Sequence, residues 1–195
     1  MALVAALGRR RMSDGERDEA ELVRRLARGD TAVVDALYAR FGRPLYAYVR
    51  SLVGDESLAE EVVQDTFVAA WRGAGRFEGR SSLASWLFGI ARRQTRDRTR
   101  RAVPDTEPVD RLAEVPGGDP GPEAAVLAAA TRAELAEAMQ RIPAADREVL
   151  LLAFAYELSG PEIADVLAIP AGTVKSRLFN ARRRMREQLL EKEPR

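Results

Sequence analysis

The chain has 195 residues, 46% of them hydrophobic and 31% charged, and its 31 basic and 30 acidic side chains leave a formal charge of +1. That balance suits a globular protein of one ordinary domain or two small ones, and no apolar run approaches the roughly 20 residues a membrane helix needs, so membrane insertion is not expected. With no cysteine and no histidine, disulfides, thiolate nucleophiles, Cys/His metal sites and imidazole acid–base chemistry are excluded; no metal, cofactor or catalytic residue is expected, and the carboxylates sit among arginines at helical spacing, as on solvated faces.

Residues 1–12 open with the apolar stretch Met1 to Leu7 and continue into Arg9, Arg10 and Arg11. A secretory signal places its positive charge first, so this segment reads as a disordered extension of a cytoplasmic protein, with Met1 and Met12 both open as the start. Ser13 and Glu16 form a capping box that predicts a helix from about Asp14 to Arg28, with Leu22, Val23 and Leu26 inward. Gly29 then ends that helix and Asp30 caps the next, which carries Val33, Val34, Leu37 and Phe41. Pro44 predicts the first turn of a third segment bearing Leu45, Tyr48, Val49 and Leu52, before Gly54 and Asp55 mark a stop and a fresh cap.

A long helix follows from about Glu56 to Arg72. Leu58, Val62, Phe67 and Trp71 fall near one face, where Trp71 reads as core, while Glu60, Glu61, Gln64 and Asp65 fall largely on another. Gly73, Gly75 and Gly79 break the chain, and Ser81 opens a helix with Leu83, Trp86, Leu87 and Ile90 at core spacing. Its end, Arg92 to Arg101, holds six arginines against Asp97 alone.

Residues 102–122 contain five prolines (104, 108, 116, 120, 122), the pair Gly117 and Gly118, and five acids against the single base Arg111. They read as a flexible acidic linker, which divides the chain into domains at 13–101 and 123–195. Beyond it come an Ala-rich helix from about Glu123 to Arg141 and a second from Pro143, with Val149, Leu150, Leu152 and Phe154 as core. Ser159 and Glu162 form another capping box for a short helix ending near Ala168. After a turn at Ile169 and Pro170, a last helix runs to about Leu190 on a seam of Val174, Leu178, Ala181, Met185 and Leu189. No stretch alternates with the period of a strand, so the expected fold is all-α.

The final two helices have the pattern of a helix-turn-helix. The second is rich in groups that meet phosphates or read base edges in the major groove: Thr173, Lys175, Ser176, Arg177, Asn180, Arg183 and Arg184. Alone, such a helix is equally a solvated amphipathic surface. The segment LSGPEIADVLAIPAGTVKSRLFNARRRMRE (158–187) resembles the C-terminal helix-turn-helix of the extracytoplasmic-function group of sigma factors. AEEVVQDTFVAAWR (59–72) resembles that family's polymerase-binding helix, and FEGRSSLASWLFGIARR (77–93) its minus-10 loop and helix.

The resemblance implies a sigma-2-like and a sigma-4-like domain that together direct core RNA polymerase to promoter DNA, with no chemical step of their own. It assigns polymerase binding to Glu61, Gln64, Asp65 and Arg72. Minus-10 recognition and melting fall to Arg76, Phe77, Arg80, Ser81, Ser82, Trp86, Arg92 and Arg93. Minus-35 recognition falls to Thr173, Lys175, Ser176, Arg177, Phe179, Asn180 and Arg183. An anti-sigma partner is expected on the same ground. Phe77 is open between a stacking surface for an unpaired base and a core plug. The linker's acidity is open between a path through a polymerase channel and simple solvation. Asn180 stands where many relatives carry a basic residue, and Ala168 replaces a turn glycine, which is tolerable where the residue is not left-handed. The rival reading is a free-standing helix-turn-helix regulator that needs no polymerase.

Overall fold

The computed structural model describes residues 14–102, 135 and 137–190, and every regular element among them is helical. Helix α1 (Asp14–Ala27) is followed by Gly29 at φ 83°, a left-handed position that a residue without Cβ takes at little cost. The Asp30 carboxylate accepts the Ala32 N–H at 3.1 Å and opens α2 (Thr31–Val53). The Asp55 carboxylate accepts the Leu58 N–H at 2.7 Å at the head of α3 (Glu56–Gly73). A 3-10 turn, Ala74–Arg76, and the loop 77–82 lead into α4 (Leu83–Ala102).

In the C-terminal half, residues 137–140 are helical and α5 (Ala144–Leu150) continues into a π-helical turn, Leu151–Ala155. Then come α6 (Gly160–Leu167) and α7 (Ala171–Leu190). The predicted Ser13 cap, the linker beyond Ala102 and the Ala-rich helix before Leu135 lie outside the described residues.

Several local expectations need correction, Leu189 among them, which is 38% exposed and so falls outside the buried seam of the last helix. No break occurs at Pro44, which lies inside a continuous α2. Leu37, Phe41, Leu45 and Tyr48 form one buried stripe through it, and this packing outweighs the hydrogen bond the proline cannot donate. Trp71 is not core: it is 49% exposed, because Phe67 and Ala70 already occupy the inward positions of the last turns of α3. Phe154 is 59% exposed, since the wider π turn rotates it off the face that buries Leu151 and Leu152. Ala168 is left-handed, at φ 52° and ψ 47°.

The two domains also meet more closely than a tether requires. One contiguous buried cluster runs from Val23 in α1 through Leu45, Val62 and Leu87 to Val149, Ile163 and Val174. A smaller cluster around Ile142, Leu150 and Ala181 supports α7. Helix α6 packs on α4, which brings the first helix of the helix-turn-helix onto the predicted minus-10 helix.

Candidate nucleic-acid and polymerase interface

Helix α3 presents Glu61, Gln64 and Arg72 to solvent, with Asp65 half-buried beside them. Asp65, Val68, Arg72, Arg76 and Gln94 line one shallow groove, so part of the predicted polymerase face and the start of the predicted minus-10 loop share a wall. Val68 and Trp71 stand 41% and 49% exposed on the same helix, apolar surface of the kind a partner would cover. The acids are not bare. Arg98 of α4 donates to Glu61 at 2.6 Å and also to Asp65. Its hydrogen bond to Asp65 and the further bond to Glu61 raise the guanidinium pKa against a smaller opposing effect of burial.

In the loop, Gly79 at φ 68° makes the bend. Arg76 and Arg80 are exposed, and Arg80 lies 3.1 Å from Glu78. Phe77 is half-buried with its ring 4.8 Å from that of Trp86 at 44°, so these two predicted residues form one aromatic pair. Ser81 and Ser82 are half-buried. Ser82, rather than Ser81, caps α4, its hydroxyl accepting the Ser85 N–H at 3.2 Å. Glu19 of α1 reaches across to accept the Leu83 N–H at 3.0 Å, a contact no local pattern could reveal.

Arg93 is exposed, but Arg92 is not free. Its Nε donates to Glu148 of α5 at 2.8 Å, its Nη2 to the same carboxylate at 3.4 Å, and its Nη1 to the Leu167 carbonyl of α6 at 3.3 Å. Tyr48 of α2 donates its hydroxyl to Glu148 at 2.8 Å. The side chains of Arg92 and Glu148 are 18% and 11% exposed. Burial opposes the charge on Arg92, yet the hydrogen bonds and charge of Glu148 outweigh it and raise the guanidinium pKa. Burial, with the Glu148 charge, pushes the Tyr48 hydroxyl well above its ordinary range, so it stays a donor. The sequence marks Tyr48 only as a position of its helical segment and does not mark Glu148; 100 positions separate them.

Helix α7 begins directly after Pro170, whose carbonyl accepts the Thr173 and Val174 N–H groups. Val174 and Ala181 are buried, and Leu178 and Met185 pack partly against the core, so the opposite face is presented outward. On it Lys175, Ser176 and Arg183 are exposed, and Thr173, Arg177 and Asn180 half-buried. Phe179 is 69% exposed, and Arg182 lies 5.0 Å over the ring of Phe154. All seven predicted minus-35 residues lie on one continuous helix. In α6 the predicted capping pair forms: Glu162 accepts the Ser159 N–H at 2.8 Å and its hydroxyl at 2.6 Å.

The chain is similar to known proteins in sequence and in fold. The model of sigma-70 region 2 matches residues 37–103, and that of sigma-70 region 4 matches residues 132–185. The chain is 35% identical to the RNA polymerase sigma factor NccH of Alcaligenes xylosoxydans xylosoxydans, over 89% of this chain and 95% of that one. It is 33% identical to the ECF RNA polymerase sigma factor SigM of Mycobacterium tuberculosis H37Rv, over 87% and 84% respectively. Among solved structures it resembles CnrH in complex with the cytosolic domain of CnrY, with a TM-score of 0.63 and 29% identity over 90% of this chain and 99% of that one. At this identity over nearly the whole length of such relatives, the chain belongs to the extracytoplasmic-function group of the sigma-70 family of RNA polymerase sigma factors.

Proposed function

We propose that the sigma-factor activity of this chain is divided among three surfaces: α3 for core polymerase, the 74–82 loop with α4 for the minus-10 element, and α7 for the minus-35 element. The protein directs core RNA polymerase to promoters and takes part in opening them. Glu61, Gln64, Asp65 and Arg72 are the polymerase contacts in this reading. Arg76, Phe77, Arg80, Ser81, Ser82, Trp86, Arg92 and Arg93 serve minus-10 DNA, and Thr173, Lys175, Ser176, Arg177, Phe179, Asn180 and Arg183 serve minus-35 DNA. The domains are bounded at 13–101 and 123–195 by the linker 102–122. The factor is cytoplasmic and performs no chemical step. An anti-sigma protein holds it in check, by analogy with RpoE of Bartonella quintana, solved in complex with the anti-sigma factor NepR.

The observation that carries this reading is the outward row on α7, where a buried seam at Val174 and Ala181 leaves Lys175, Ser176, Phe179 and Arg183 in solvent after a tight turn. A free-standing regulator would use that row too, but it gives the region 2 half no role. Run-off transcription with core polymerase tests the difference. The chain should yield a defined start site on a genomic promoter, and its absence on every promoter would sink the proposal. Replacing Lys175, Arg177 and Arg183 together by Ala should weaken minus-35 binding and lower the salt slope by up to about 3, at roughly 0.9 per lost phosphate contact.

A further inference from the structure

We propose that Glu148 is an internal stand-in for promoter phosphate, a clasp that holds the two domains closed by occupying Arg92 until polymerase and DNA part them. The proposal rests on Arg92 serving minus-10 DNA. A guanidinium pairs with carboxylate and phosphate through the same donor geometry, so one group cannot satisfy both anions at once. Arg92 spends all three of its nitrogens on the other domain, two on Glu148 and one on the Leu167 carbonyl.

The contact extends along the minus-10 segment. Ser85 donates its hydroxyl to the Glu162 carbonyl at 3.3 Å, and the Glu162 carboxylate is held by Ser82 as well as Ser159. The rings of Phe88 and Tyr156 meet at 4.6 Å across the same boundary. Closure therefore covers Ser82 and Arg92 with α5 and α6. The boundary also carries apolar contacts, since Leu87 shares a buried cluster with Val149, Ile163 and Val166. The ion pair adds geometry more than strength, because burial returns much of its attraction in lost hydration, but removing one partner leaves the other charge buried and unpaired, which favours opening.

The chain has no cysteine, so Asp35→Cys on α2 and Asp165→Cys on α6, both exposed, accept a donor and an acceptor dye cleanly. In the full chain, Glu148→Gln should lower energy transfer between them. It should also tighten binding of the isolated protein to a single-stranded non-template minus-10 oligonucleotide, from a promoter mapped with the reconstituted enzyme, by roughly tenfold. Tyr48→Phe should move both readouts the same way by less. Holoenzyme already assembled should transcribe alike with the parent chain and with the Glu148→Gln chain. A Glu148→Gln protein that keeps its helical circular dichroism and its full energy transfer overturns the clasp. If that variant does not fold, addition of core polymerase to the labelled parent decides: transfer must fall, and unchanged transfer overturns the proposal. Absence of any start site with the parent chain would instead overturn the proposed function, a result the energy-transfer measurement does not depend on.

Discussion

Ala168 should be replaceable by glycine with a gain in stability, and the sign follows from its place at the turn of the helix-turn-helix. The Ile169 N–H reaches back to the Ala164 carbonyl at 3.1 Å, while Ala168 itself stands at φ 52°. That is the helix-ending arrangement in which glycine is preferred at the left-handed residue. Holding an L-residue there costs about 1–2 kcal/mol, while the greater freedom of glycine in the unfolded chain returns about 0.4–1 kcal/mol of the gain. The strain is the larger, and the exposed Ala168 methyl gives up little burial when removed. Ala168→Gly should therefore stabilise by about 0.5–1 kcal/mol, raising the melting temperature by roughly 1–4 °C in a chain of this size. Ala168→Val should lower it, because a branched Cβ suits this conformation less well. Paired thermal melts of the three chains, followed by minus-35 duplex binding, give the answer. An unchanged or lower midpoint for the glycine variant would show that the turn is not strained and that the reasoning from φ is wrong.

Arg147 is 5% exposed and donates to the Met139, Gln140 and Ile142 carbonyls at 2.8, 3.2 and 2.9 Å. Arg147→Ala should cost about 3–5 kcal/mol in urea unfolding, and a loss below about 1 kcal/mol would contradict a structural role. Burial works to raise the Glu162 pKa, but hydrogen bonds from the Ser159 and Ser82 hydroxyls and the Ser159 N–H lower it below its ordinary 4.5. Its stabilisation is thus present above pH 4.5 and lost as the pH falls through the lower folded value. Glu162→Gln should flatten the decline of stability as the pH falls below 4.5, and an identical acid limb in the two chains would remove Glu162 as its source. Because Arg98 competes for Glu61 and Asp65, Arg98→Ala should tighten binding to core polymerase by about twofold, the size of an exposed ion pair. Weaker binding in an anisotropy titration would mean that Arg98 itself touches the polymerase.

What the sequence makes legible is local. Asp30, Asp55 and the Ser159–Glu162 pair act on groups two or three residues away, and the periodicity of Val23, Val62, Leu87 and Val174 marks inward faces whatever they meet. The same periodicity misplaced Trp71 and Phe154, because it cannot detect a helix end already filled by Phe67 and Ala70, or a π turn that advances the register. Nothing local in the sequence marks Arg147; only the folded chain surrounds it with carbonyl oxygens.

Arg92 shows where this limit bears on function. Its residue type and its position in a run of arginines say that it will bind an anion, and both the phosphate of the expected reading and the carboxylate observed satisfy that statement. Which anion it takes depends on Glu148, 56 positions away, and on Tyr48 donating to the same carboxylate from a third helix. Were the pair exposed, its strength would be small and salt would screen it, so DNA would take Arg92 without competition. At 18% and 11% exposure that screening is largely absent. The energetic question for this factor is then an exchange of one buried anion for another, coupled to the parting of two domains. A bare DNA-binding measurement on the isolated chain reports the sum of both steps, and only its comparison with the Glu148→Gln chain separates them.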